Sequence, residues 1–173
     1  AGSLISQLAN GQEMVTLPHN KEGVFKMAQP WASGTRFRIL VSNNEPAYLY
    51  AFGSDATEQI FPIFPPRKWV SAYLPYRANH FNIPGEQQLI ELDQTVGKDY
   101  FCFLYSLEEI DFEVLIADLQ SRSGTLAGKV QEALQEKLIS EEHINWGDKG
   151  IIFSAKSKDR SVIAVLIEID HIR

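Results

Sequence analysis

Three stretches of this chain are apolar at almost every position, and they limit the folds that it can adopt. They read AYLYAF at 47–52, DYFCFLYS at 99–106 and VIAVLIEI at 162–169. Each is rich in aromatic or β-branched residues, which is typical of strands. A strand with one face in water alternates polar and apolar side chains, whereas a strand covered on both faces does not. We therefore expect these three strands to lie in the interior of a layered β-structure.

The first of these runs begins a hairpin. Tyr48, Tyr50 and Phe52 project to one face of the strand, and a Gly-Ser-Asp turn follows. The returning strand, 59–64, contains Pro62, which lacks the N–H donor that a central strand needs. The sequence therefore predicts that the returning strand lies at a sheet edge or contains a bulge.

Further strand signals occur at close spacing, separated by Gly, Pro and Asn. The stretch TRFRILVS, 35–42, alternates in the manner of a half-buried strand. Such spacing is typical of a β-sandwich or barrel. Shorter strand-like pieces occur at 13–17, 24–28, 81–83, 88–92 and 151–155.

The periodicity becomes helical in the C-terminal half. Apolar residues fall at i, i+3, i+4 and i+7 from Phe112, and Asp111 ahead of them can cap the free N–H groups. From 125 to 139 a leucine or valine recurs at every fourth position. We predict a single α+β domain over residues 1–173, a mainly antiparallel β-sandwich with two packed helices. Residues 1–34 are expected to form an N-terminal arm or edge strands.

The charge balance argues against nucleic acid and membrane surfaces as partners. The chain carries 22 acidic residues against 16 lysines and arginines, which gives a formal net charge of −6. Phosphate backbones and anionic lipids are bound where Lys and Arg cluster, and the best basic run, 156–160, is typical of a solvated turn. No run approaches the roughly 20 apolar residues of a membrane span, so membrane insertion is not expected.

Cys102 is the single cysteine and a candidate nucleophile. A cysteine-dependent hydrolase would pair it with His80 or His143 as the base. A working thiolate needs an accessible, electropositive setting. Cys102 instead lies within YFCFLY, where a free cysteine behaves as a small buried hydrophobe. The hydrolase is therefore kept as an alternative function.

The sequence also lacks the patterns of a metal site and of a phosphate-binding loop. The four histidines are scattered, and none joins a thiol or carboxylate at metal-ligand spacing. His171 is interpreted as a strand-end residue. The stretch GTLAGKV lacks the spacing and the Ser or Thr of a phosphate loop. We therefore predict no catalytic residue, no metal site and no cofactor.

The aromatic and basic segment from 64 to 77 is the strongest candidate for a binding site. Trp, Tyr and Arg dominate the energetics of protein interfaces. Alternatively, these aromatics fold over an open sandwich edge. We predict a non-enzymatic binding or regulatory module that contacts a protein or an extended ligand here, and a structural spacer is a further alternative. The candidate residues are Phe64, Arg67, Trp69, Tyr73, Tyr76 and Arg77.

Short motifs between residues 24 and 120 resemble those of bacterial domain-of-unknown-function family 4384, whose members often follow caspase-like peptidase or protein-kinase modules. The chain departs from the pattern by doubling the Phe-Pro step and by adding a C-terminal helix and hairpin. The resemblance implies an immunoglobulin-like sandwich, an accessory role beside a protein partner or associated domain, and no catalytic residue. The matching elements are Tyr48 with Tyr50, Phe64-Pro65, Ile83-Pro84, and Gly97 with Asp99.

Overall fold

The three stretches that are apolar on both faces of the chain all form strands of the same sheet. The computed structural model describes residues 1–20, 23–75 and 78–173, and only the backbone of 78–80. The strands are β1 (Gly2–Leu8), β2 (Val24–Lys26), β3 (Trp31–Ala32), β4 (Arg36–Asn43), β5 (Ala47–Ser54), β6 (Ile60–Phe64), β7 (Tyr73–Leu74), β8 (Ala78–Ile83), β9 (Ile90–Glu91), β10 (Gly97–Ser106), β11 (Ile144–Trp146), β12 (Ile151–Ala155) and β13 (Val162–Ile172). The helices are α1 (Phe112–Ser121) and α2 (Leu126–Leu134), with short 3-10 turns at Gln135–Lys137 and Glu141–His143.

These strands form two sheets. The first has the order β11-β12-β1-β4-β8, with β9 also paired to β4. The second has the order β2-β13-β10-β5-β6, with β3 paired to β13 and β7 paired to β5. The pairings are antiparallel except for β2 and β3, which run parallel to β13. The prediction of a mainly antiparallel β-sandwich with two helices is thus confirmed.

The second sheet is buried on both faces, which accounts for its apolar strands. Leu49, Phe103 and Val165 belong to a cluster between the sheets that also contains Phe37 and Val41 of β4. The alternate residues of the same strands pack against the helices. The result is three layers, with the second sheet in the middle. The helix-side cluster includes Phe52, Cys102, Leu104, Leu115, Leu119, Val130 and Leu166.

The hairpin of β5 and β6 agrees with its prediction. Strand β6 lies at one end of the second sheet, and the pairing shifts register between Ala51 and Phe52. Pro62 lies opposite Phe52 in this edge strand. The Ile60 N–H donates to the Gln120 side-chain oxygen of α1, at 2.7 Å. The helix thereby satisfies a backbone donor of the edge strand, a common protection against unwanted strand pairing.

Helix α1 begins at the capping side chain that the sequence indicates, and α2 begins at a cap of the same kind. The Asp111 carboxylate accepts a hydrogen bond from the Val114 N–H, and the Thr125 hydroxyl accepts one from Gly128 N–H. Helix α2 ends at Leu134, earlier than the four-residue period suggests. The chain turns there so that Leu138 can bridge to the first residue of β13. None of the described helices is long and apolar enough to cross a bilayer.

Within the described part of residues 1–34, only the first strand differs from the expectation of an arm or edge strands. Strand β1 lies inside the first sheet, between β12 and β4, so it is neither an arm nor an edge. Starting at Gly2, buried and partly buried residues alternate along β1, a pattern that is typical of a half-buried strand. A Cβ atom at Gly2 would lie 2.8 Å from the Phe153 ring, so glycine allows β1 to fit beside β12. The short strands β2 and β3 pair with β13 at the far side of the second sheet.

Truncation of Leu119 tests whether α1 is part of the core. Leu119 is 0% exposed against the second sheet, so Leu119→Ala is expected to reduce the free energy of unfolding by about 2–5 kcal/mol. Val114 on the same helix is 63% exposed, and Val114→Ala should change it by no more than about 0.5 kcal/mol. Urea denaturation of both variants measures the difference. Equal effects would contradict the helix-covered sheet.

Candidate functional site

The loop that follows β6 forms one wall of a large cleft. This loop, 65–72, faces α1 and the turn that precedes it, 109–111, across a cleft of about 1240 Å³. Tyr50 and Ile60 of the second sheet also line the cleft. The Ile110 N–H donates to the Tyr50 hydroxyl oxygen at 2.8 Å, which fixes that turn against the sheet. The cleft therefore lies between this loop and a turn that is fixed against the sheet, and we call it the aromatic cleft.

Trp69 is the most exposed aromatic side chain of the cleft. It is 78% exposed, and the Arg67 guanidinium carbon lies 5.5 Å from its ring centroid. A cation within about 6 Å of an indole ring is attracted to its electron-rich face. Trp69 therefore presents an apolar ring at the surface with a cation beside it, and little of that ring is buried.

The two walls of the cleft carry opposite charges. Arg67 and Lys68 lie on the loop, whereas Glu109, Asp111 and Glu113 lie on the helix side. The Lys68 ammonium and the Glu113 carboxylate form an ion pair across the walls, at 3.0 Å. Both side chains are mostly exposed, so the pair adds little stability and can exchange for a partner's charges.

The predicted binding residues do not all lie at this surface. Arg67 and Trp69 line the cleft, whereas Tyr73 lies on β7, 42% exposed, with its ring 5.0 Å from that of Tyr48. Phe64 is only 4% exposed and belongs to the core between the sheets, so its prediction as a binding residue is corrected. Its aromatic ring is held inward because β6 pairs with β5 at this point. Tyr76 and Arg77 lie outside the described residues.

Cys102 lies in the middle of β10 and is 0% exposed. Burial raises the pKa of its thiol well above the ordinary value, because the thiolate would lose its hydration. Of its two proposed bases, His143 lies in an exposed 3-10 turn, and the side chain of His80 falls outside the description. The structure gives Cys102 neither the access nor the lowered pKa that a nucleophilic cysteine needs.

A polar cluster that the sequence did not reveal lies at one end of the second sheet. The His171 Nδ1 atom is 3.0 Å from Asp99 Oδ2, and His171 Nε2 is 2.9 Å from the Ser33 hydroxyl oxygen. His171 is 3% exposed, not simply a strand-end residue, and Asp99 is 5% exposed. We call these three residues the Ser-His-Asp cluster.

The cluster is assembled by strand pairing. Gly97 lies opposite His171 in the β10–β13 pair, so Asp99 follows shortly along the neighbouring strand. Trp31 pairs with His171 from the other side, and Ser33 follows it in the next turn. Ser33 and His171 are 138 residues apart in sequence, and no local motif joins them. In the sequence, the feature that could have pointed to this cluster was a polar residue, Asp99, at the start of an apolar strand.

Burial raises the pKa of Asp99 to about 6, because the carboxylate loses hydration. His171 opposes this rise by its charge and its hydrogen bond, whereas Asp55 and Asp93 add to it. Among the described residues, this cluster included, no group of three or more His, Cys, Asp or Glu side chains could hold a metal ion.

The fold and the cleft define a three-layer β-sandwich protein with an exposed tryptophan at the rim of a cleft. Comparison with known proteins adds no relative: no family model matches the chain, and no curated protein and no solved structure matches it significantly. The function must therefore be inferred from the sites themselves.

The accessibility of Cys102 can be measured with a thiol reagent. Because the thiol is buried and its pKa is raised, we expect no reaction of the native protein at neutral pH and one equivalent after denaturation. The reagent's rate with free cysteine under the same conditions is the reference. A native reaction faster than this reference would revive the cysteine hydrolase.

Proposed function

We propose that this chain is a binding or regulatory module that captures an extended segment of a protein partner in the aromatic cleft. The observation that carries the proposal is Trp69, which is 78% exposed and stacked by Arg67 at the rim of a cleft of about 1240 Å³. Large aromatic side chains combined with arginine are characteristic of the residues that dominate protein interfaces. In this proposal the cleft binds its partner and catalyses no reaction.

The shape of the cleft favours a polypeptide as the ligand. Its volume of about 1240 Å³ has room for several side chains, and its walls carry both charges. Pro65 and Pro66 stiffen the loop that carries Trp69, which reduces the conformational entropy lost on binding. An exposed indole ring beside an arginine at the rim of a cleft is typical of a binding surface, which favours binding over the spacer hypothesis.

Recognition by side chains is favoured over addition of a strand. Edge strand β6 borders the cleft, but Pro62 offers no N–H and the Ile60 N–H already donates to Gln120. A partner strand would therefore find an interrupted ladder at this edge. Insertion of apolar and charged side chains between the two walls meets no such obstacle.

The same proposal includes the accessory role that the resemblance to family 4384 implies. In it, the chain is an immunoglobulin-like module whose cleft docks a neighbouring domain or a separate protein. The support is the position of the Phe64-Pro65 step, which starts the loop that carries Trp69.

Binding is tested by selecting peptides from a displayed random library against the folded protein and titrating the selected peptides. Trp69→Ala should weaken binding by about 30-fold or more, equivalent to the roughly 2 kcal/mol of an interface hot spot. Because the ring is exposed, the melting temperature should stay within about 2 °C. Tyr73→Ala tests whether the contact surface extends beyond the cleft.

The matched control is Val114→Ala, which removes an exposed apolar side chain of α1 that does not line the cleft. This substitution should leave both the affinity for the selected peptides and the melting temperature unchanged. A large fall in the melting temperature of Trp69→Ala would mean that the indole is structural. Selected peptides that bind Trp69→Ala as tightly as the original protein would refute the cleft as the binding site.

A further inference from the structure

The Ser-His-Asp cluster has the arrangement of an activated nucleophile, and it shares no residue with the aromatic cleft. We propose that Ser33 accepts acyl groups from carboxylic esters, with His171 as its general base and Asp99 as the residue that orients His171. This activity is independent of peptide binding and uses the two nitrogen atoms of one imidazole ring.

The geometry assigns a role to each ring nitrogen. When Nδ1 carries the proton, it donates to Asp99 Oδ2 at 3.0 Å, and the lone pair of Nε2 then faces the Ser33 hydroxyl at 2.9 Å. A base within hydrogen-bond reach of a hydroxyl, itself oriented by a third group, is the general requirement for an activated serine. The two distances satisfy both halves of that requirement.

The burial of the pair supports a chemical role over a purely structural one. The side chains of His171 and Asp99 are 0% and 8% exposed, so water does not compete for either ring nitrogen or for the carboxylate. Asp99 Oδ1 is buried and has no hydrogen-bond partner among the described residues. A buried carboxylate with an unpaired oxygen is costly, and such groups are found preferentially where their charge is used.

Ser33 itself lies where a substrate can reach it. It is partly exposed, in the turn that follows β3. Its other polar neighbour, the Ile172 carbonyl oxygen, is 3.4 Å from the hydroxyl oxygen, farther than His171 Nε2. The hydroxyl therefore has its closer partner in the proposed base.

The backbone N–H groups around Ser33 determine how fast we expect the acyl transfer to be. The Ser33 N–H donates to the Ile172 carbonyl at 2.8 Å, and the Gly34 N–H donates to another backbone carbonyl at 2.7 Å. These two groups are therefore engaged and do not stabilise an oxyanion, a contribution that is commonly large in acyl transfer. We expect Ser33 to be acylated by activated esters and to turn over slowly.

In the proposed acyl transfer, the proton that leaves Ser33 passes through His171 to the departing alcohol. The Ser33 oxygen bonds to the ester carbonyl carbon while its proton moves to His171 Nε2. The carbon–oxygen bond to the alcohol then breaks, and the leaving oxygen takes the proton from Nε2. Water hydrolyses the acyl-serine by the same route, which releases the acid and restores the Ser33 hydroxyl.

The test is covalent labelling of the folded protein with a fluorophosphonate, followed by mass spectrometry of its peptides, and a burst assay with 4-nitrophenyl acetate. The expected result is a single adduct on Ser33 that does not form in urea. His171→Gln should slow labelling by about 100-fold or more, the usual contribution of a general base. Melting curves of each variant establish that it is folded.

Two controls separate this site from background reactivity. His143→Gln removes an exposed imidazole beside Glu142 and should leave labelling unchanged, as should Val114→Ala on the exposed side of α1. Absence of an adduct on Ser33 in the unmodified protein would overturn the proposal, and this outcome needs no variant to fold. Equal labelling in urea, or of exposed serines such as Ser157, would overturn it as well.

Discussion

Strands β5, β10 and β13 must keep water from both of their faces, and the other elements are arranged around that requirement. The first sheet covers one face and the two helices cover the other. Each large apolar side chain removed from water contributes about 1.5–3 kcal/mol, so these strands supply much of the driving force for folding. Cys102 lies within this layer as a packing residue, which is why burial raises its pKa.

This layered arrangement also creates the two candidate sites. Helix α1 packs on the second sheet and meets the loop after β6, and the space left between them is the aromatic cleft. The ends of β10 and β13, with the turn after β3, bring together the Ser-His-Asp cluster. The first site offers side chains for contact, and the second offers a hydroxyl beside a base. The functions proposed for them can therefore be tested separately by single substitutions.

Residues of the same type took different positions in the candidate segment. Phe64 and Trp69 are both aromatic and five positions apart, yet one is 4% exposed and the other 78%. Phe64 ends a paired strand whose face is set by register, whereas Trp69 lies in a loop stiffened by prolines. Composition could indicate that the segment was unusual, but it could not assign either side chain to a surface.

The sequence by itself determined the features that depend on near neighbours. These are the strands that are apolar on both faces, the edge position of the strand with Pro62, and the start of α1 at Asp111, because periodicity, a missing donor and a capping oxygen act over a few residues. Only the tertiary structure decided the inner position of β1, the cleft and the contact of His171 with Ser33. Those depend on which distant strands pair, and strand pairing in this fold is set by burial of whole faces.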